Sequence, residues 1–267
     1  MNMNQKEPII ILRDLKKSYD GTNYVLKGIN LDIVPGQVIG YIGPNGAGKT
    51  TTVKIMIGML SQYEGQVKVF GLNISEKAQD VKKRIGYVPE TAALYDTLTP
   101  NEYLRFLGQI HEIPGQELQK RAGDMLHLFG LKDYADARMT SFSKGMKQKV
   151  LIIASLIHDP DILFLDEPLS GLDANMMLVV KEILARLAAK GKTIFYCSHV
   201  MDVVERLCHR IVIIDKGIII ADGTFDELQA MNKGESLEKI FTQLTGSSGL
   251  ERVAQEFISA FEPESHS

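Results

Sequence analysis

The sequence predicts an α/β fold in which a mostly parallel sheet carries an antiparallel flap and an inserted helical lobe. Apolar runs such as "ILFLD" (162–166) and "TIFYC" (193–197) read as strands buried on both faces, and the helical stretches between such runs supply crossovers for parallel pairing. Earlier runs alternate instead: "INLDI" (29–33) and "GQVKV" (65–69) have the pattern of a half-solvated antiparallel flap. From about 90 to 158 the β signal disappears. There "TPNEYLRFLGQIHEI" opens on a Thr-Pro helix start, and "GQELQKRAGDMLHLFG" sets Leu118, Met125, Leu126 and Phe129 at helical spacing.

In chain order the β-type runs fall at 9–12, 29–33, 37–43, 65–71, 162–167, 193–199, 210–217 and 218–223. The expected organisation is a core of 1–89 and 159–223, a helical subdomain of about 90–158 inserted into it, and a C-terminal helical extension over 224–267. That extension contains the amphipathic "TFDELQAMNKGESLEKIFTQLTG" and a polar end, "FEPESHS", expected to fray.

Composition narrows the class. The 267 residues are 45% hydrophobic and 24% charged, which is ordinary globular usage and enough for a core without staples. A net charge of -3 and a pI of about 6.1 create no global field for nucleic acid or anionic lipid, so any anion site must be local. Cys197 and Cys208 lack metal-ligand spacing, and a reducing compartment is expected. The start "MNMNQKEP" has no apolar signal region, and the longest apolar runs fall far short of the ~20 residues of a membrane-spanning helix. The chain is therefore expected to be soluble, with any membrane span supplied by a partner.

"GPNGAGKT" (43–50) matches G-x-x-x-x-G-K-[ST] between a strand and a helical run. Across Gly43, Pro44, Asn45, Gly46, Ala47 and Gly48, the glycines let successive backbone N–H groups turn toward phosphate oxygens, and the following helix adds its positive end. Lys49 then reaches the β- and γ-phosphates of a nucleotide, Thr50 can ligate Mg²⁺, and Thr51 follows in the same nucleotide-binding loop. Downstream, "ILFLDEP" ends an apolar strand in two carboxylates, an expensive arrangement unless a cation compensates. Asp166 suits the metal and Glu167 suits the attacking water. Seen alone, the pair reads equally well as a solvated turn.

Six motifs in this order, "GPNGAGKT", "YVPE", "SFSKGMKQK", "ILFLDEP", "SGLD" and "YCSHV", resemble the ATP-binding cassette ATPases over about residues 8–223. The resemblance implies a P-loop NTPase (RecA-like) core with mostly parallel sheet, antiparallel β flap and helical subdomain. It also implies two cassettes, homo- or heterodimeric, with each ATP between one chain's phosphate loop and the other's signature segment. Ser143 and the N–H of Gly145 would then face the γ-phosphate of ATP held by the opposite subunit, and Asp173 would meet its counterpart. His199 would contact the γ-phosphate, and Tyr19, 24 residues before Gly43, would stack on adenine. The other histidines considered, His111, His127, His158 and His209, read as merely accommodated.

Three positions depart from the family pattern. Lys144 replaces a glycine, and either strengthens the anion site or turns to solvent beside Lys147 and Lys149. Met146 replaces a glutamine. Glu90 stands where the family has a glutamine that touches Mg²⁺; either the metal offsets its charge, or it lies back and serves the relay to the membrane partner.

The function implied is ATP hydrolysis, with Lys49, Glu167 and His199 catalytic, driving a transporter through separate polytopic membrane subunits at the cytoplasmic face. "YVPE", "SKGMKQK" and "ESLEKIFTQLTG" look like the exporter-type branch, and no nucleic-acid partner is expected. The alternatives are a soluble cassette of translation or DNA repair and a binding-only switch. A phosphate-loop kinase leaves Ser143, Gly145 and Asp173 unexplained.

Overall fold

The computed structural model describes residues 7–91, 94–246, 257, 258 and 261. Residues 1–6 and 262–267, within the polar start and the polar end, lie outside the described residues. In chain order the elements are β1 (Ile10–Ser18), β2 (Tyr24–Ile33), β3 (Val38–Ile42), α1 (Lys49–Met56), β4 (Glu64–Val69), β5 (Leu72–Asn73), α2 (Ile74–Lys82), β6 (Ile85–Val88), α3 (Pro100–Ile110), α4 (Gly115–Leu128) and α5 (Lys144–Leu156). There follow β7 (Ile162–Asp166), α6 (Ala174–Ala189), β8 (Thr193–Cys197), α7 (Met201–Leu207), β9 (Arg210–Asp215), β10 (Ile218–Gly223), α8 (Phe225–Met231) and α9 (Leu237–Leu244).

Two sheets result. The larger runs β10-β9-β3-β8-β7-β6, parallel throughout except for the β9–β10 hairpin, and the smaller, β2-β1-β4-β5, is antiparallel. The apolar runs that do not alternate in hydrophobicity do alternate in destination, because successive strand side chains point to opposite faces. Leu163, Leu165, Ile194 and Tyr196 join the core shared with the helical lobe, while Ile162, Phe164, Phe195 and Cys197 join the core shared with α1 and the flap. Burial on both faces is thus the reason β7 and β8 read as continuous apolar runs. β6 is not apparent from the sequence because it has only four residues, Ile85–Val88, on the sheet edge.

Between β6 and β7 every described α or β element is helical. Thr99 starts α3 with a capping box, its hydroxyl accepting from the Glu102 N–H while the Glu102 carboxylate accepts from the Thr99 N–H, and Pro100 occupies the first turn. Over 224–246 the chain forms α8 and α9, separated where Lys233 and Gly234 adopt positive φ; residues 247–256, 259 and 260 of the expected C-terminal extension lie outside the described residues. Leu237 and Ile240 of α9 are fully buried on the core. Among the described residues no helix is long and apolar enough to cross a membrane.

Phe164 lies at the centre of this arrangement, fully buried and 5.7 Å from the Phe195 ring centroid. Phe164→Ala is expected to lose about 3–5 kcal/mol of stability, because the flanking strands are fixed on both faces and cannot collapse into the cavity. Urea unfolding measures this; a loss below about 1 kcal/mol would mean that the sheet repacks.

Candidate functional site

β3 ends at Ile42 and the chain turns through residues 43–48 into α1. Gly48 makes this turn possible, with a φ of 108° and no room for a side chain, since a Cβ would lie 2.5 Å from Leu26 Cδ2. The loop and the N-terminus of α1 form one wall of an open cleft of about 810 Å³. Lys49 Nζ donates to the carbonyls of Gly43 (2.6 Å) and Pro44 (3.1 Å), so its ammonium lies over the loop. Gly43, Pro44, Asn45, Gly46, Gly48, Lys49, Thr50 and Thr51 all line the cleft; Ala47, 2% exposed, packs beneath it.

The opposite wall comes from the carboxyl ends of β7 and β8. Asp166, 2% exposed, accepts a hydrogen bond from Thr50 Oγ1 at 2.9 Å. Burial pushes its carboxyl above the usual carboxylate range against the pull of the Thr50 hydroxyl; the charges of Glu90 and Glu167 raise it further and that of Lys49 opposes them. Tyr87, just ahead of Glu90, is pushed up to about 12 by burial, with Asp166, Cys197 and Glu90 adding to the effect.

Glu167 has a φ of 50°, strained for a residue with a side chain. Its N–H donates to the Cys197 carbonyl at 2.9 Å. Its carboxylate is held on both oxygens: Oε1 accepts from the His199 N–H (2.9 Å) and from His199 Nδ1 (2.8 Å), and Oε2 accepts from Ser198 Oγ (3.0 Å). Because a carboxylate oxygen only accepts, Nδ1 is the donor in this contact, and Nε2 is left for another partner. The imidazole is largely exposed, whereas the Glu167 side chain is 13% exposed.

The donor set fits a nucleotide triphosphate with a divalent cation. Glycine backbone, the α1 N-terminus and Lys49 form a cationic cradle, while the desolvated Asp166 with Glu90 and Glu167 nearby calls for a positive partner. Among the described residues no three His, Cys, Asp or Glu side chains converge into a metal centre. Thr50 and Asp166 could supply part of the ligand set of a Mg²⁺ ion, the rest coming from phosphate and water oxygens.

Other sequence-predicted residues stand apart from the cleft lining. Tyr19 is 61% exposed, its hydroxyl 3.2 Å from Thr51 Oγ1 and its ring 4.9 Å from Lys17 Nζ. Ser143 caps α5, its Oγ accepting from the Met146 N–H at 3.2 Å. Asp173 caps α6 through the Met176 N–H at 2.9 Å. Lys144 is exposed, and its Nζ donates to Ser170 Oγ at 2.9 Å, a contact that neither reading of the sequence included. His111 and His158 stack with centroids 3.8 Å apart, and His209 Nδ1 accepts from the Val38 N–H.

Val25, Met201, Glu238, Phe241 and Thr242 also line the cleft, and no sequence signal marks them as site residues. The last three lie on α9, whose i, i+3, i+4 spacing marks a common face. No motif says that this face returns to the phosphate loop.

Comparison with known proteins agrees with this geometry. The family described as ABC transporter matches residues 26–170, and the chain belongs to that family. It is 36% identical to the ABC transporter ATP-binding protein NatA of Bacillus subtilis (strain 168), over 87% of this chain and 96% of that protein. It is 38% identical to the linearmycin resistance ATP-binding protein LnrL of the same organism, over 84% and 72% respectively, and 35% identical to the Nod factor export ATP-binding protein I of Paraburkholderia xenovorans (strain LB400), over 88% and 77%. Among solved structures, the ATP-binding subunit of an ABC transporter superposes with a TM-score of 0.84 at 31% identity, covering 89% of this chain and 99% of that one. A dimeric post-hydrolysis state of the ATP-binding cassette MJ0796, bound to ADP and Pi, superposes with a TM-score of 0.75 at 25% identity, covering 80% and 98%. The protein is thus an ABC ATPase; such ATP-binding subunits work as dimers with membrane permease subunits.

The strained balance at Asp166 has a measurable signature. A carboxyl whose folded pKa is raised destabilises the fold wherever it is ionised, above its ordinary pKa, and does nothing once protonated in both states. Asp166→Asn should therefore raise the melting temperature of nucleotide-free protein at pH 7, with the gain vanishing as pH falls toward the ordinary carboxylate range. An equal gain at both pH values would assign the effect to packing.

Proposed function

We propose that this chain powers export as the ATP-hydrolysing subunit of a transporter, two copies or one copy and a related cassette acting on separate polytopic subunits at the cytoplasmic face of the membrane. The observation that carries the reading is a cleft whose lining offers groups for phosphate and for a cation but does not include the signature residues. Lys49, Thr50, Asp166, Glu167 and His199 line or face one cleft, whereas Ser143 and Gly145 of the same chain are not among its lining residues. A second chain presenting its own Ser143 and the N-terminus of its own α5 would close that side.

In this reading Lys49 and the loop N–H groups hold the β- and γ-phosphates, and Tyr19 supports the adenine. Thr50 and Asp166, with Glu90 nearby, hold Mg²⁺, which neutralises charge on the phosphate oxygens when bound. Glu167 takes the proton of the attacking water as its oxygen bonds to the γ-phosphorus and the bond to the β–γ bridging oxygen breaks, releasing ADP. The Nδ1–H of His199 fixes the carboxylate, and Nε2 would donate to the γ-phosphate in the imidazolium form, in which both ring nitrogens carry a proton. Asp173 and its counterpart would then link the two sites.

Closure and opening of the pair would pass to the membrane subunits through Glu90 and the helical lobe. That lobe presents exposed Tyr95, Phe106 and Ile110, with the Tyr95 and Phe106 rings edge-to-face at 6.1 Å, an apolar cluster suited to a protein partner. Export is favoured over uptake by the relatives named for resistance and export; a translation or repair role is not favoured.

Glu167→Gln is expected to retain ATP binding while turnover falls about a hundredfold or more. Equilibrium binding of a fluorescent ATP analogue and steady-state phosphate release measure the two quantities. Wild-type turnover in this variant would remove Glu167 from the role of base.

A further inference from the structure

The Lys144 side chain fastens α5 to the turn that carries Glu167. Its Nζ donates to Ser170 Oγ at 2.9 Å, and Ser170 in turn donates its N–H to the Glu167 carbonyl at 3.1 Å. One helical turn later the buried Gln148 donates from Nε2 to the Pro168 carbonyl at 2.9 Å. Glycine on both sides brings α5 and the turn together. A Cβ on Gly145 would lie 2.4 Å from the Gly171 carbonyl oxygen. Gly171, with a φ of 79°, lies under the aliphatic stem of Lys144, whose carbons would be 3.2–3.6 Å from a Cβ added there.

We propose that Lys144 is a positioning residue for hydrolysis: it ties the signature segment of one ATP site to the Glu167 turn of the other. The inference rests on the two-chain reading above, in which Ser143 serves the opposite chain's nucleotide and Glu167 serves its own. Lys144 adjoins Ser143, and through Ser170 it reaches the strained backbone of Glu167. Movement of α5 on engaging the opposite phosphate therefore pulls directly on the turn that orients the base. A glycine at position 144 has no donor with which to do this, so the coupling is a property of this chain's own sequence.

The test is a double-mutant cycle on ATP hydrolysis by the full chain. Lys144→Met keeps the stem over Gly171 and removes the donor; Ser170→Ala removes the acceptor. Each is expected to lower kcat roughly three- to tenfold while KM for ATP stays within about twofold, and the double variant should be no slower than the worse single one. Because the bond is solvent-exposed, the melting temperature should hardly move, which separates positioning from simple structural support. Lys144→Arg, which keeps a donor, should recover part of kcat.

Two results would overturn the inference: a raised KM in Lys144→Met with Ser170→Ala silent, which would put the ammonium on the nucleotide itself, or losses that multiply in the double variant. Sizing of Glu167→Gln with ATP distinguishes the failures. If that variant stays monomeric, the two-chain reading and the inference fall together; if it dimerises while the losses multiply, only the coupling falls.

Discussion

A carboxylate buried at the end of a central strand is the constraint on which the site depends. Asp166 sits there because the five positions of β7 are all buried, and its Thr50 hydrogen bond is a partial substitute for lost water. One hydroxyl and one nearby ammonium leave its carboxyl above the ordinary range, with Glu90 and Glu167 adding like charge. The arrangement is tolerable because β7 is locked between two cores and cannot withdraw the group. It makes the cleft a place where a cation is strongly favoured and where a bare triphosphate alone is not.

Strand register does the next part. Parallel pairing sets Asp166 opposite Cys197, so the residues that follow on the two strands, Glu167 on one and Ser198 and His199 on the other, meet at the same edge. The Glu167 N–H bonds to the Cys197 carbonyl, and the carboxylate is then gripped by Ser198 and His199. Those bonds offset a positive φ that costs about 1–3 kcal/mol. A slip of one residue would turn β7 inside out and separate the pair.

Much of this is legible in the sequence, for identifiable reasons. The phosphate loop and the paired carboxylates are local patterns whose chemistry is set by a few adjacent residues, and the Thr99-Pro100 helix start is legible for the same reason. What is not legible is contact between segments with no shared pattern. Lys144 reads in sequence as a phosphate ligand or a solvated lysine, and its partner lies 26 residues away on another loop. Helix α9 is visibly amphipathic, yet nothing in its residues says that Glu238, Phe241 and Thr242 come to the nucleotide cleft while Leu237 and Ile240 face inward. β6 is too short to outweigh the helical signal after it.

The central claim is that each ATP site needs two chains, and complementation between inactive variants addresses it most directly. Lys49→Ala disables a chain's own phosphate loop, and Ser143→Arg blocks the face it offers to its neighbour. In a mixed dimer of the two, one site carries both defects and the other carries neither. The account predicts that mixing the variants yields ATPase activity well above the sum of the separate preparations. Mixed dimers that form, verified by pull-down through a tag on one variant, yet recover no activity would contradict it.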